Sequence, residues 1–198
     1  FANRDIDDVI IPPEIKFISS YVFESCLKLK SVNFSSDSNL QNIGYYSFLK
    51  SSLETIIIPS SLITISNGAF KDCQNLKSVI FDQNSKLKYI SDDSFFGCQK
   101  LENIEMSKNL ELEMIGNNSF NGCYSLIKIS IPKSLKYIRE KAFYDCKNLI
   151  SIEIEDDSEL IEIGSFAFGL TKIEQLNIPS KLEKLDDQSL SEMHQLKS

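Results

Sequence analysis

The sequence predicts an α/β-type solenoid: a curved parallel sheet of about eight short strands, with turns and short helical coils on the opposite side. Three observations predict it. First, a pair ending in Phe returns along the 198 residues, as Val22-Phe23, Ser47-Phe48, Ala69-Phe70, Ser94-Phe95, Ser119-Phe120, Ala142-Phe143 and Ala167-Phe168. The Phe-to-Phe steps are 25, 22, 25, 25, 23 and 25 residues, and Ser189-Leu190 follows 22 residues later. Second, each anchor is preceded by two apolar residues spaced two apart, the period at which side chains share one face of a strand. Third, Pro stands directly after that pair at positions 12, 59, 132 and 179, where it ends a ladder without removing a hydrogen bond from its middle.

Each unit reads LxxIxIPxxLxxIxxxAFxxC, or a form two residues longer before the second Leu. The unit at Leu53 runs through Ile56, Ile58, Pro59, Leu62, Ile65, Ala69 and Phe70 to Cys73; the one at Leu126 runs through Ile129, Ile131, Pro132, Leu135, Ile138, Ala142 and Phe143 to Cys146. The longer form begins at Leu76, with Val79, Phe81, Leu87, Ile90, Phe95 and Cys98, and at Leu101, with Ile104, Met106, Leu112, Ile115, Phe120 and Cys123. Units at Ile6, Leu29, Leu149 and Ile173 complete eight copies over residues 6–195. β-branched residues dominate the IxI step and predict one strand per unit. The next apolar residues, such as Leu62 and Ile65, are three apart, which predicts a turn or short helical coil that returns the chain.

A unit this short cannot bury its own apolar side, so stability must come from stacking. Phe23, Phe48, Phe70, Phe95, Phe120, Phe143 and Phe168 are expected to form one continuous column. Nothing in the composition marks a linker, and residues 1–198 read as one domain from a longer protein. The chain opens on Phe1 without a charged-then-apolar leader, which reads as a fragment or a chain whose signal peptide has been removed. The last unit is followed by Leu196, Lys197 and Ser198, which read as the start of a ninth.

Composition narrows the function. Of the residues, 42% are apolar and 25% charged, with 21 Lys+Arg against 28 Asp+Glu and a formal net charge of −7. That charge argues against nucleic acid and anionic membrane surfaces as partners, since both need a cationic footprint. No run approaches the roughly 18 apolar residues of a membrane span.

The period, the LxxIxIP strand and the AlaPhe-xx-Cys ending together resemble the BspA-like, or Treponema-type, leucine-rich repeats, over about 95% of the chain by its eight copies. The resemblance implies a leucine-rich-repeat solenoid from an extracellular or cell-surface protein, one that contacts molecules of a host or neighbouring cell. The chain departs from the pattern at several points. Ser51 or Ser52 and Thr171 stand in for Cys, and Leu185, Leu190 and Met193 take the Ile, Phe and Cys columns of the last unit.

Catalytic and metal chemistries find little purchase. Cys26, Cys73, Cys98, Cys123 and Cys146 occupy one repeat position, which reads as a size-limited core slot for free thiols. Bridges between adjacent units, such as Cys98 with Cys123, are the alternative, and the odd number forbids complete pairing within one chain. No CxxC cluster or His partner suggests zinc, and no cofactor is expected. The sole imidazole, His194, reads as a solvated surface residue. No Ser-His-acid constellation, GxSxG or phosphate-binding glycine motif is present, so the chain is read as a non-enzyme. The run Glu155, Asp156, Asp157, Ser158, Glu159 reads as a solvated loop, with weak Ca²⁺ binding as the sharper alternative. Asn33-Phe34-Ser35 and Asn117-Asn118-Ser119 fit the N-glycosylation triplet, making Asn33 and Asn117 candidate acceptors.

In a solenoid, partners meet the strand face, where one side chain points out between each pair of core residues. That outward row is Ile10, Asn33, Ile57, Ile80, Glu105, Ser130, Glu153 and Asn177, and the row before it includes Thr55, Ser78 and Asn103. Ile57 and Ile80, flanked by Thr55, Ser78, Asp82 and Glu105, form the candidate contact patch for a protein or glycoprotein ligand. The competing expectation is a structural segment of a longer stalk without a specific ligand, associating end to end.

Overall fold

The computed structural model describes residues 2–106, 110–186 and 188–196. Lys197 and Ser198, read as the start of a ninth unit, lie outside the described residues, as does Phe1. The chain winds into eight coils, each holding up to two short strands. Coil 1 carries β1 (Asp8–Ile11) and β2 (Phe17–Ile18), coil 2 β3 (Ser31–Phe34) and β4 (Asn42–Ile43), and coil 3 β5 (Thr55–Ile58) and β6 (Thr64–Ile65). Coil 4 carries β7 (Ser78–Phe81) and β8 (Tyr89–Ile90), and coil 5 β9 (Asn103–Glu105) and β10 (Met114–Ile115). Coil 6 carries β11 (Lys128–Ser130) and β12 (Tyr137–Ile138), coil 7 β13 (Ser151–Glu153) and β14 (Glu162–Ile163), and coil 8 only β15 (Lys184–Leu185). Every pairing is parallel and joins consecutive coils.

Three expectations are corrected, the first in coil 8, where Leu176 to Ile178, read as that unit's strand, form none. The continuous sheet is not built on the IxI segments, which divide into β1-β3, β5-β7-β9 and β11-β13. It runs through the two-residue strands, in the order β15-β14-β12-β10-β8-β6-β4-β2. The Leu62-to-Ile65 spacing, expected to give a turn or helical coil, therefore ends in a strand. No helix occurs among the described residues; the chain between Ile65 and Cys73 and its equivalents is a run of turns.

The hydrogen bonds explain why a helix is not formed. Around Phe48, the N–H groups of Ser47, Leu49 and Ser51 close local turns onto Gly44, Tyr46 and Phe48, while those of Tyr46, Phe48 and Lys50 reach the next coil at Asn67, Ala69 and Lys71. Alternate donors thus serve the coil and its neighbour. A helix would spend all of them locally and leave no third ladder between coils. This zigzag needs left-handed backbone two residues before and two after each Phe position, with φ between 51° and 75°. Gly68, Gly97 and Gly122 take three of these places, and ordinary residues such as Tyr46, Lys50 and Phe166 take others.

The core is a set of columns, as expected. The seven Phe rings of the anchor stack with centroids 5.0 to 5.7 Å apart and planes within 13° of parallel. All seven are buried. The cysteines form a second column, buried and free of disulfides. Each of four thiols donates to the carbonyl of the preceding coil's Phe: Cys73 to Phe48 at 3.0 Å, Cys98 to Phe70 at 3.1 Å, Cys123 to Phe95 at 3.3 Å and Cys146 to Phe120 at 3.1 Å. Ser51, rather than Ser52, fills the slot in coil 2, buried with its hydroxyl 3.3 Å from the Cys73 thiol. Thr171 donates to Phe168 O at 2.7 Å. Coils 2, 4 and 7 accommodate their extra residues with a serine: Ser38, Ser85 and Ser158 each accept the N–H of the Leu two residues on, at 3.3 Å, whereas in coil 5 the buried Leu110 stands at that place.

Candidate functional site

Strand alternation presents the outward row in the register that the spacing predicts. Ile10 pairs with Asn33 across β1-β3, and Ile57 with Ile80 and Ile80 with Glu105 across β5-β7-β9. Thr55 and Ser78 are partners one step earlier. Ile10 is 75% exposed and Ile57 58%, whereas Ile80, on the central strand between Ile57 and Glu105, is half-buried. The expected exposed pair is therefore one open and one sheltered isoleucine. Thr55, Asp82 and Glu105 are exposed and Ser78 is half-buried. These six residues lie on one surface formed by coils 3 to 5.

A cleft adjoins that surface, and sequence reasoning missed it. Where the strand ladder lapses between β3 and β5, a hollow of about 230 Å³ opens, lined by Val32, Asn33, Phe34, Ile57, Pro59 and Asp82. Its place depends on how far two parallel coils part, for which a single chain's spacing carries no signal. Pro59 was the one cue, because a Pro closing β5 denies the ladder a donor. The arrangement offers an apolar projection, Ile57, beside a shallow recess of mixed character, with Val32, Phe34 and Pro59 on its apolar side and an amide, a carboxylate and the hydroxyls of Ser35, Ser36, Ser38 and Ser60 on its polar side. That geometry suits contact with another molecule's side chains.

The two glycosylation candidates differ in setting. Asn33 is exposed on β3. Asn117 is tied into three coils: its N–H and side-chain amide donate to the Asp92 carboxylate at 2.7 and 3.2 Å, and its Oδ1 accepts from Glu140 N–H at 3.1 Å. Ser119, the third residue of that triplet, is fully buried.

Groups that could do chemistry are scattered or shielded. Burial pushes the Cys73 thiol up to about 12 and raises those of Cys98, Cys123 and Cys146 well above the ordinary range, which suppresses the nucleophilic thiolate. His194 is exposed in coil 8. Glu155, Asp156 and Asp157 project from an exposed loop while Ser158 is buried in its turn. There the hydrogen bond from Lys133 holds the Asp157 carboxyl below its usual value. Among the described residues, no group of three or more His, Cys, Asp or Glu is placed to hold a metal ion. No helix of the described residues is long and apolar enough to cross a membrane.

Known proteins share this architecture. The family model of the BspA type leucine rich repeat region matches in six copies, over residues 1–113 and 81–197. A leucine-rich repeat protein of Bacteroides ovatus superposes with a TM-score of 0.65 at 27% identity, covering 89% of this chain and 44% of that one. The T. pallidum leucine rich repeat protein gives a TM-score of 0.65 at 22% identity, covering 83% of this chain and 76% of that one. A leucine rich cell surface protein of Faecalibacterium prausnitzii gives 0.58 at 20% identity, covering 97% and 52%. The chain thus spans less than half of the Bacteroides protein. No curated protein sequence matches it. Period, columns and family model agree: the chain belongs to the BspA-type leucine-rich-repeat family.

Proposed function

We propose that this chain is a non-enzymatic interaction or adhesion module of a secreted or cell-surface protein, binding a protein or glycoprotein ligand on its strand face. The observation that carries the reading is the outward row itself. Ile10 and Ile57 project apolar side chains from paired, parallel strands, with Thr55, Ser78, Asp82 and Glu105 beside the second. An apolar anchor with a polar rim is the composition of an interaction hot spot. Surface placement is supported by a relative described as a leucine rich cell surface protein. The mechanism is display: side chains held on a stacked scaffold lose little conformational freedom on contact, which limits the entropy cost of binding.

The test is a pair of variants, Ile57→Asp alone and with Ile80→Ser, assayed for capture by a panel of purified extracellular glycoproteins. Circular dichroism and Tm of Ile57→Asp are expected to match the parent, because Ile57 is mostly exposed, and those of the double variant to fall modestly, because Ile80 is half-buried, while capture falls at least tenfold in both. Unchanged capture removes the site from the strand face. If the parent captures none of the panel and its light-scattering mass grows with concentration, the chain is instead an assembling stalk segment.

A further inference from the structure

At the position just before the first strand of each coil, charge alternates as Asp7, Lys30, Glu54, Lys77 and Glu102. A backbone ladder holds these five in line. Lys30 N–H donates to Asp7 O at 2.8 Å, Glu54 N–H to Lys30 O at 3.2 Å, Lys77 N–H to Glu54 O at 2.8 Å and Glu102 N–H to Lys77 O at 2.9 Å. Beside them runs the row of Asp8, Ser31, Thr55, Ser78, Asn103 and Lys128, which open β1, β3, β5, β7, β9 and β11. It carries charge only at its two ends. Every charged residue of both rows is exposed.

Within one chain this charge is little used. Among the described residues the two rows make one ion pair, Lys77 with Glu54 at 3.5 Å, whose side chains are both about half exposed. The pattern instead complements its own reversal. Turned about the point between coils 3 and 4, Glu54 falls on Lys77, Lys30 on Glu102 and Asp8 on Lys128, while Thr55 falls on Ser78 and Ser31 on Asn103. No like charges meet. Asp7 falls on Ile127, which is uncharged and 50% exposed. Moving the turning point onto coil 3 or coil 4 sets Glu54 or Lys77 against itself.

We propose that this edge is a homodimer interface, on which a second copy of the chain lies antiparallel about a two-fold axis between coils 3 and 4. Both copies then present the same patch, as a closed two-fold contact requires. Three kinds of ion pair, each made twice, span coils 1 to 6, roughly 24 Å at about 4.8 Å per coil. Exposed pairs are individually weak and are screened by salt, so the association is modest in strength and charge complementarity sets its register. The contact is lateral and leaves the ends of the stack open. It does not depend on the Ile57 surface, which it borders at Thr55 and Ser78.

Sedimentation equilibrium of the full chain at low ionic strength tests it. The weight-average mass is expected to rise with concentration and to level off at twice the monomer mass, with the dissociation constant at least tenfold higher in about 0.5 M salt, where screening is strong. Two charge-swapped variants test the register. The acidic one carries Lys30→Glu, Lys77→Glu and Lys128→Glu; the basic one carries Asp8→Lys, Glu54→Lys and Glu102→Lys. Each alone is expected to be monomeric with a parent-like circular dichroism spectrum, and an equimolar mixture to form a one-to-one dimer. The single variants Lys30→Glu and Glu102→Lys repeat the test with less change of charge: each is expected to weaken the dimer at least threefold, and mixing them to restore it. A parent that stays monomeric at low salt overturns the proposal, as does growth beyond the dimer, which end-to-end assembly would give. It is overturned too if the single variants dimerise like the parent, or if mixing them restores nothing.

Discussion

Phe95 touches Phe70 on one side and Phe120 on the other, with both centroids 5.1 Å away, so its removal opens two interfaces at once. Phe95→Ala is expected to cost about 3–5 kcal/mol in urea unfolding, the range for a large aromatic deleted from a core that cannot collapse. The cysteine column gives a pH signature. Burial raises the Cys73 thiol from an ordinary 9.0 to about 12, so between these values the folded protein holds a proton that the unfolded chain has lost. The stabilising contribution is fully present below pH 9 and is lost as pH rises toward 12, at about 1.4 kcal/mol per pH unit for this group. Urea midpoints measured from pH 8 to 10.5 are expected to fall, and to fall less steeply in Cys73→Ala; parallel curves would remove Cys73 as a source. A third expectation concerns strain. Lys50 is exposed and held at φ 56°, a conformation that disfavours a Cβ. Lys50→Gly is therefore expected to stabilise the protein by about 1 kcal/mol, net of the entropy glycine adds to the unfolded chain; a lower urea midpoint would contradict this.

The elements show what sequence could and could not disclose. The first strand was legible in coils 1 to 7 because apolar, mostly β-branched residues two apart read as a strand, and the strand register of Ile57 with Ile80 follows from alternation alone; in coil 8 the same pattern, Leu176 to Pro179, forms none. The second strand was not legible. Two residues such as Thr64-Ile65 carry no period, and what makes them a strand is pairing with Asn42-Ile43 before and Tyr89-Ile90 after. The turn run was misread for a related reason. Apolar residues three or four apart suit a helix equally well, and the cues against it, Gly, Asp or Asn at the left-handed positions, appear at Gly68, Asp72, Asp93, Gly97, Asn118, Gly122 and Asp145 but not at Tyr46, Lys141 or Leu170. Of the candidate site, the residues were legible but the cleft beside Ile57 was not, because it arises from how far neighbouring coils part. Coil spacing also fixes the role of one glycine. A Cβ on Gly116 would lie 2.6 Å from the Asp92 backbone N, while Gly116 N–H is held 2.8 Å from Ile90 O. Gly116→Ala must push coils 4 and 5 apart or break that bond, and about 1–3 kcal/mol of destabilisation is expected in urea unfolding.

Across the whole molecule, strand pairing is strictly local: each strand pairs only with strands of the coils before and after it, although one side-chain bond, from Tyr144 OH of coil 6 to Glu192 of coil 8 at 3.0 Å, passes over coil 7. Charges follow the same rule. Glu113 of coil 5 reaches Lys88 of coil 4 at 3.7 Å and Lys136 of coil 6 at 3.4 Å, and Glu162 of coil 7 reaches Arg139 at 2.8 Å and Lys184 at 3.2 Å. Such exposed and half-exposed pairs contribute little each, but they oppose a coil slipping out of step with its neighbours. Stability should therefore behave as a sum of coil terms and nearest-neighbour interfaces, not as one indivisible core. Phe120, between Phe95 and Phe143, is the place to test this, because weakening coil 5 should loosen coils 4 to 6 and leave the outer coils with intact neighbours. In native-state hydrogen exchange of Phe120→Ala, protection of the Phe95, Phe120 and Phe143 amides, all bonded to the following coil, is expected to fall by at least tenfold. The Phe48 amide, bonded to Ala69 O in coil 3, is expected to keep its protection within threefold. An equal loss at Phe48 would mean that all eight coils open together, and the stack would then be one cooperative body in which damage at the centre reaches its outer coils as fully as their neighbours.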